Sequence, residues 1–135
     1  MLSKNVVQEL IGICGRERVL TEPEDLTSYS FDATAALPRC RPEAVVLPVS
    51  TEEVVGVVKL AGRYRIPIYP RGSGTNLSGG TIPLEGGIVL VATMMNAILE
   101  VDAENLTATV QPGVIVQSLN DVVASYALIY PPDPG

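Results

Sequence analysis

The chain has 135 residues, 47% of them hydrophobic and 18% charged, a composition that folds and suffices for one domain or part of one. Nine basic against fifteen acidic residues give a formal charge of −6 without a basic cluster, which argues against a tracker of nucleic-acid backbones. There is no histidine, and Cys14 and Cys40 stand far apart, so no zinc or iron–sulfur ligand set is recognisable; the two read as reduced thiols of a cytoplasmic protein.

The polar start at Met1 carries no signal-peptide pattern, and no apolar run reaches the ~18 residues of a membrane span. Ser3 predicts a helix cap, with Val6, Val7, Leu10 and Ile11 on one helical face and a stop near Gly12 and Gly15. Residues 16–20 fit no single element. Residues 21–26 read as a capped helical turn, its acidic residues at the positive end. The mixed-polarity stretch 29–34 is irregular; Asp32 in it reads as a solvated turn carboxylate, with a ligand role as the alternative. Arg39 and Arg41 flank Cys40 in a loop bounded by Pro38 and Pro42.

Residues 43–47 predict a buried strand, and Ser50 with Glu53 has the form of a capping box. Val54, Val57, Val58, Ala61 and Tyr64 then recur at helical spacing as a core face, with Arg63 and Arg65 at the negative end of the helix. Residues 66–69 are the next strand, and strand, helix, strand predicts a right-handed parallel crossover. A further buried strand is expected at 88–92, followed by Met94 and Met95 as fillers of core gaps. Residues 97–101 and 107–111 alternate as the arms of a hairpin. Residues 114–126 predict a helix with Val116, Leu119, Val122 and Val123 facing inward, and 127–130 a last strand. The fold class is therefore α+β: a small parallel βαβ-based sheet with packed helices plus a hairpin. The chain stops inside a strand-and-loop unit that looks unfinished, which is expected of a fragment.

The stretch PRGSGTNLSGG, residues 70–80, is the strongest candidate site. Gly72, Gly74, Gly79 and Gly80 let the backbone approach a ligand, and successive N–H groups with the Ser73, Thr75 and Ser78 hydroxyls suit an anion such as a diphosphate. It sits after a strand, where open α/β sheets place ligands. It is not a P-loop, because Gly80 and Thr81 follow the GxxxxG of Gly74 to Gly79 where Lys and Ser or Thr are needed. It is not a GxGxxG turn either: Leu77 takes the third glycine position, and no helix can start at Thr81, Ile82 and Pro83. A solvent-exposed loop tip without a ligand has the same composition.

With the residues before it, this loop resembles the pyrophosphate loop of the FAD-binding domain in the vanillyl-alcohol oxidase and p-cresol methylhydroxylase family. Within that family it is most similar to the FAD-binding subunit of glycolate oxidase and to D-lactate dehydrogenases, from about Ser30 to Gly135. The resemblance implies the first half of a two-subdomain FAD-binding domain, spanning residues 1–135. Its backbone would hold FAD at Pro70, Arg71, Gly72, Ser73, Gly74, Thr75, Asn76, Leu77, Ser78 and Gly79. It implies secondary contacts at Gly113, from the VQPGV segment, for which an ordinary strand-to-helix turn is the alternative, and at Pro132 and Asp133, from the YPPDP segment. Thr75 stands where some relatives carry a flavin-tethering histidine, which implies a non-covalent flavin.

The resemblance further implies hydride transfer from the α-carbon of a 2-hydroxy acid to flavin N5. The substrate would be held by a cap domain beyond this chain. Partners would include a second flavin-type subunit and an iron–sulfur subunit, with attachment at the inner face of a membrane through them. No pair of residues in the chain makes an acid–base or nucleophilic centre, so no catalytic residue and no metal site is assigned here. A non-catalytic nucleotide- or phosphate-binding module, and a same-fold FAD enzyme with another substrate, are the alternatives.

Overall fold

The computed structural model describes residues 2–34 and 39–132. Helix α1, Lys4–Cys14, begins where the Ser3 hydroxyl accepts from the Val6 N–H at 3.3 Å. It runs through Gly12 because Val6, Leu10 and Cys14 continue one buried stripe to Gly15, which ends it at φ 85°. After the short helix α2, Pro23–Thr27, comes α3, Thr51–Tyr64, which starts on Ser50 as expected and ends on left-handed Arg65. Its buried stripe is Val57, Leu60 and Ala61. Val58 and Tyr64 face outward, 49% and 39% exposed, and the Tyr64 hydroxyl reaches Glu9 of α1.

The capping box is only half formed. Ser50 Oγ accepts from Glu53 N, but the Glu53 carboxylate accepts from Val49 N and pairs with both terminal nitrogens of Arg18. Residues 16–20 resolve into a single 3₁₀ turn at Arg16–Arg18 and a two-residue strand β1, Val19–Leu20.

Strands β2, Ala44–Val46, β3, Ile68–Arg71, and β4, Ile88–Val91, complete a four-stranded sheet in the order β1-β2-β4-β3. The three longer strands are parallel, and β1 runs antiparallel along β2, so the sheet is mixed at one edge. The β2–α3–β3 crossover joins strands that are not neighbours: β4 lies between them, with Leu90 paired to Val46 on one side and to Pro70 on the other. Pleating sends alternate side chains to opposite faces. Ala44, Val46, Ile88 and Leu90 meet α1 and α3 through Leu10, Val57 and Leu60, while Val45, Val89 and Val91 meet Leu26, Tyr29 and Tyr69. Burial on both faces explains why β2 and β4 read as unbroken apolar runs.

The hairpin forms from β5, Ile98–Asp102, and β6, Thr107–Val110, its turn closed by Asp102 Oδ1 accepting from Glu104 N and Asn105 N. Helix α4, Val116–Val123, buries Leu119 and Val123, leaves Val122 40% exposed, and tightens into a 3₁₀ turn at Ala124–Tyr126. Residues 127–130 are not a strand. The backbone N–H and C=O of Tyr130 bond to the Asn120 side chain, in place of a neighbouring strand. Met95 fills the core as expected, whereas Met94 is 46% exposed. Cys14 is buried and Cys40 half-buried, both free thiols; burial, reinforced by Glu53, raises the Cys14 pKa and makes it a poor nucleophile.

Candidate functional site

The glycine loop leaves the sheet at the carboxyl end of β3. Pro70 and Arg71 still belong to the strand, paired with Leu90 and Val91, so the loop is anchored on the buried central strand. Gly74 and Gly79 take positive φ, 84° and 71°. The loop bounds a cavity of about 430 Å³ lined by Pro70, Gly72, Ser73, Gly74, Thr75, Asn76, Ser78, Gly80 and Thr81. Among the described residues, the backbone N–H groups of Ser73, Gly74, Asn76, Leu77 and Ser78 donate no hydrogen bond. A run of unused donors on a concave backbone is the chemistry of an anion cradle. Leu77 is 76% exposed at the tip, outside the cavity lining, and Gly79 N–H is engaged by the Thr34 hydroxyl at 2.9 Å.

Arg71 lies beneath this surface. Its side chain is buried, donates through Nη1 to the Phe31 carbonyl at 2.6 Å and stacks 5.5 Å from the centre of the Tyr29 ring. No carboxylate pairs with it among the described residues. A buried guanidinium without an acidic partner raises the positive potential of whatever lies above it. A Cβ on Gly74 would stand 2.2 Å from this guanidinium, so glycine there is demanded by the cation beneath as well as by its φ.

Asp32 corrects the sequence reading: it is buried, not a solvated turn carboxylate. Its Oδ1 accepts from Thr34 N at 2.8 Å. Its Oδ2 accepts from Asn76 Nδ2 at 2.7 Å and lies 3.2 Å from the Thr81 hydroxyl, itself within reach of Asn76 Oδ1. Burial pushes the Asp32 carboxyl up, but the bonds from Thr34, Asn76 and Thr81 together outweigh it and hold the pKa below the usual value. Ala33 N–H donates to Gly74 O at 3.2 Å. Residues 29–34 thus form a strap along the loop, with Tyr29, Phe31, Asp32, Ala33 and Thr34 each touching it. Sequence reasoning did not find this strap. None of its residues shares a local pattern with the loop, so the only trace of it was the alternative of a ligand role for Asp32.

On the other side of the loop, Gly72, Ser73 and Thr75 border a second cavity of about 460 Å³, closed by Thr93, Asn96 and residues 112–116. Gly113 therefore does face the loop. Its own N–H donates to Met95 O at 2.8 Å, and an added Cβ would stand 2.2 Å from Ala92 O, so what it supplies here is close packing. Pro132 borders a further hollow reached past Ile115 and Val116, which line both. Asp133 lies outside the described residues. A separate cavity of about 480 Å³ lies between the start of α1 and α2.

Comparison with known proteins agrees with this geometry. A family model described as "FAD binding domain" matches residues 42–135. The chain is 48% identical over its whole length to a glycolate oxidase subunit, GlcD, of Bacillus subtilis, covering 28% of that protein. It is 40% identical over 88% of its length to a D-lactate dehydrogenase of Anaerostipes hadrus, covering 25% of it. Among solved structures, p-cresol methylhydroxylase with substrate bound superposes with a TM-score of 0.81 at 30% identity, over 92% of this chain and 25% of that one. An alkyldihydroxyacetonephosphate synthase also reaches 0.81, at 26% identity, over 93% of this chain and 25% of that one. The chain spans about a quarter of the length of these relatives. With the family model covering most of its length and the glycine loop at the carboxyl end of parallel strand β3, this chain belongs to the FAD binding domain family, and its cofactor is FAD.

Proposed function

We propose that this chain is the diphosphate-holding half of a flavin-dependent 2-hydroxy-acid oxidoreductase, with FAD bound non-covalently along residues 70–79 and past Gly113. The observation that carries this reading is the set of unused N–H donors of Ser73, Gly74, Asn76, Leu77 and Ser78 beside the buried Arg71, which pairs with no carboxylate among the described residues. Each N–H bond to a charged oxygen contributes about 1.5–3 kcal/mol, so a few of them hold a diphosphate firmly. FAD supplies the hydride chemistry when bound; the residues of this chain position it and shield it from water. Thr75, which cannot tether a flavin as histidine does, supports non-covalent attachment.

The groups that grip and orient the substrate are assigned to a second flavin-contacting half and a cap domain beyond residues 1–135. Support comes from the relatives, whose lengths this chain spans by about a quarter. The word "subunit" in the name of the Bacillus relative supports association with further subunits, of which a second flavin-type and an iron–sulfur subunit are proposed. No helix among the described residues is long and apolar enough to cross a membrane, and residence in the cytoplasm, attached to a membrane only through partners, is part of the same reading. The superposed enzymes are named for other chemistry, a p-cresol methylhydroxylase and an alkyldihydroxyacetonephosphate synthase, which keeps a different-substrate enzyme of this fold as the second reading.

The test is anaerobic mixing of the protein as its gene encodes it, loaded with FAD, with glycolate or D-lactate. Bleaching of the yellow flavin absorbance is expected. An FAD-loaded protein that neither acid bleaches refutes the substrate assignment, and yellow colour kept on acid-precipitated protein refutes non-covalent attachment.

A further inference from the structure

Two kinds of residue touch the glycine loop: those facing its cavity, and those bonded to it from beneath. Asp32 is of the second kind. It is not among the residues lining the cavity beside the loop, yet its carboxylate bonds Asn76 before the tip and Thr81 after it. The same strap holds Gly79 through the Thr34 hydroxyl and Gly74 through Ala33 N–H, and Asp32 in turn fixes Thr34 N. Every one of these bonds spans forty residues or more except those within the strap and within the loop. Glycine-rich backbone has many competing conformations, and ordering it only when the ligand arrives would subtract from affinity.

We propose that Asp32 is the positioning residue of the loop: by tying Asn76 and Thr81 together it sets the unused N–H groups of Ser73, Gly74, Asn76, Leu77 and Ser78 in their binding arrangement before FAD arrives. This rests on the reading that the loop holds the FAD diphosphate. Asp32 carries a negative charge and is buried below the loop, so it acts through Asn76, Thr81 and Thr34 and does not touch the anion itself. A residue of this kind governs how often the competent loop is present, hence the rate of capture. A residue that contacts the ligand governs the rate of release.

The experiment is stopped-flow binding of FAD to the apo form of the protein as its gene encodes it, comparing wild type with Asp32→Ala, Asp32→Asn, Asn76→Ala and the Asp32→Ala/Asn76→Ala double variant. For Asp32→Ala the expected result is association slowed by about tenfold or more, with release changed less than about threefold. Asp32→Asn, which keeps one acceptor oxygen, should fall between. In the Asn76→Ala background, Asp32→Ala should cost clearly less than in wild type, because one of its bonds is already gone. Faster release at unchanged association would make Asp32 a ligand contact and overturn the proposal, as would unchanged kinetics or fully additive variants. Collapse of the thermal transition in both Asp32 variants would show a general structural role and overturn it equally. A wild-type protein that takes up no FAD would instead remove the underlying flavin reading, an outcome visible before any variant is compared.

Discussion

The sheet core and the glycine loop meet at Arg71, yet they are held by different physics. In the core, Leu10, Val57, Leu60, Ile88 and their neighbours are excluded from water and packed side chain against side chain. That holding is non-directional, and it tolerates drift in element boundaries as long as the apolar stripe stays continuous. The loop has almost no apolar holding: Leu77 projects into solvent, and its shape is kept by directed polar contacts from residues 29–34 and by the Arg71 guanidinium packed under Gly74. A core built by burial can be stable without being a site. A loop held from beneath by hydrogen bonds keeps its upper surface free for a ligand.

The strongest way to break this contrast is to weaken one side only. Leu10→Ala removes a fully buried side chain from between α1 and the sheet and should cost about 2–5 kcal/mol in denaturant unfolding. FAD affinity measured well below the unfolding transition should hardly change. Stability equal to wild type would mean that α1 does not close the core.

Gly74→Val attacks the other side. Its side chain would collide with the Arg71 guanidinium in a backbone region that branched residues avoid, so FAD affinity should fall about 100-fold or more, roughly 2.7 kcal/mol. The unfolding transition should move less than for Leu10→Ala. Retained affinity would remove the loop from the site.

A third variant tests the polar contact that does belong to the core. Glu53→Gln breaks the bidentate pair with Arg18 that ties α3 to the turn before β1. It should cost about 1–2 kcal/mol, since the pair is charge-assisted but partly exposed. The Arg18 hydrogen bond is the main reason the Glu53 carboxyl titrates below its usual value; burial opposes it, and the Val49 N–H adds to it. A depressed folded pKa stabilises fully above the ordinary carboxylate range of about 4 and loses that contribution as pH falls through the lower folded value. Thermal scans between about pH 7 and pH 2 should therefore fall less steeply for Glu53→Gln than for wild type. Parallel curves would contradict the pairing. The smallest effect is expected at the loop tip, where Leu77→Ser should leave unfolding within about 0.5 kcal/mol of wild type. A larger loss would mean that Leu77 is covered in the folded protein.

Why the core was legible in the sequence and part of the site was not follows from the same contrast. Val6, Leu10 and Cys14, or Val57 and Ala61, repeat at the helical period, and Val45, Val46, Val89 and Leu90 form short apolar runs, so the local pattern carries the information. Stripe edges are less well defined, which is why Val58 and Val122 look inward in sequence and are exposed in the fold. Strand order is not local at all: nothing near residues 88–91 says that this strand inserts between β2 and β3. The glycine loop announced itself by composition, but Asp32 did not. A single acidic residue in an irregular stretch has no period, and its partner Asn76 lies 44 positions away. Residues 127–130 have a strand's composition, yet the Tyr130 backbone bonds to Asn120.

Loop 70–80, proposed here as the cradle for the diphosphate of FAD, is open to a direct test. The direct measurement is parallel titration of the protein, as its gene encodes it, with FAD and with riboflavin, which has the same ring system and no phosphate. With several charge-assisted N–H bonds reserved for the diphosphate, FAD should bind at least about 100-fold more tightly than riboflavin. Gly74→Val should erase most of that difference. Equal affinity for the two flavins, or a preference for FAD that survives Gly74→Val, would contradict the claim.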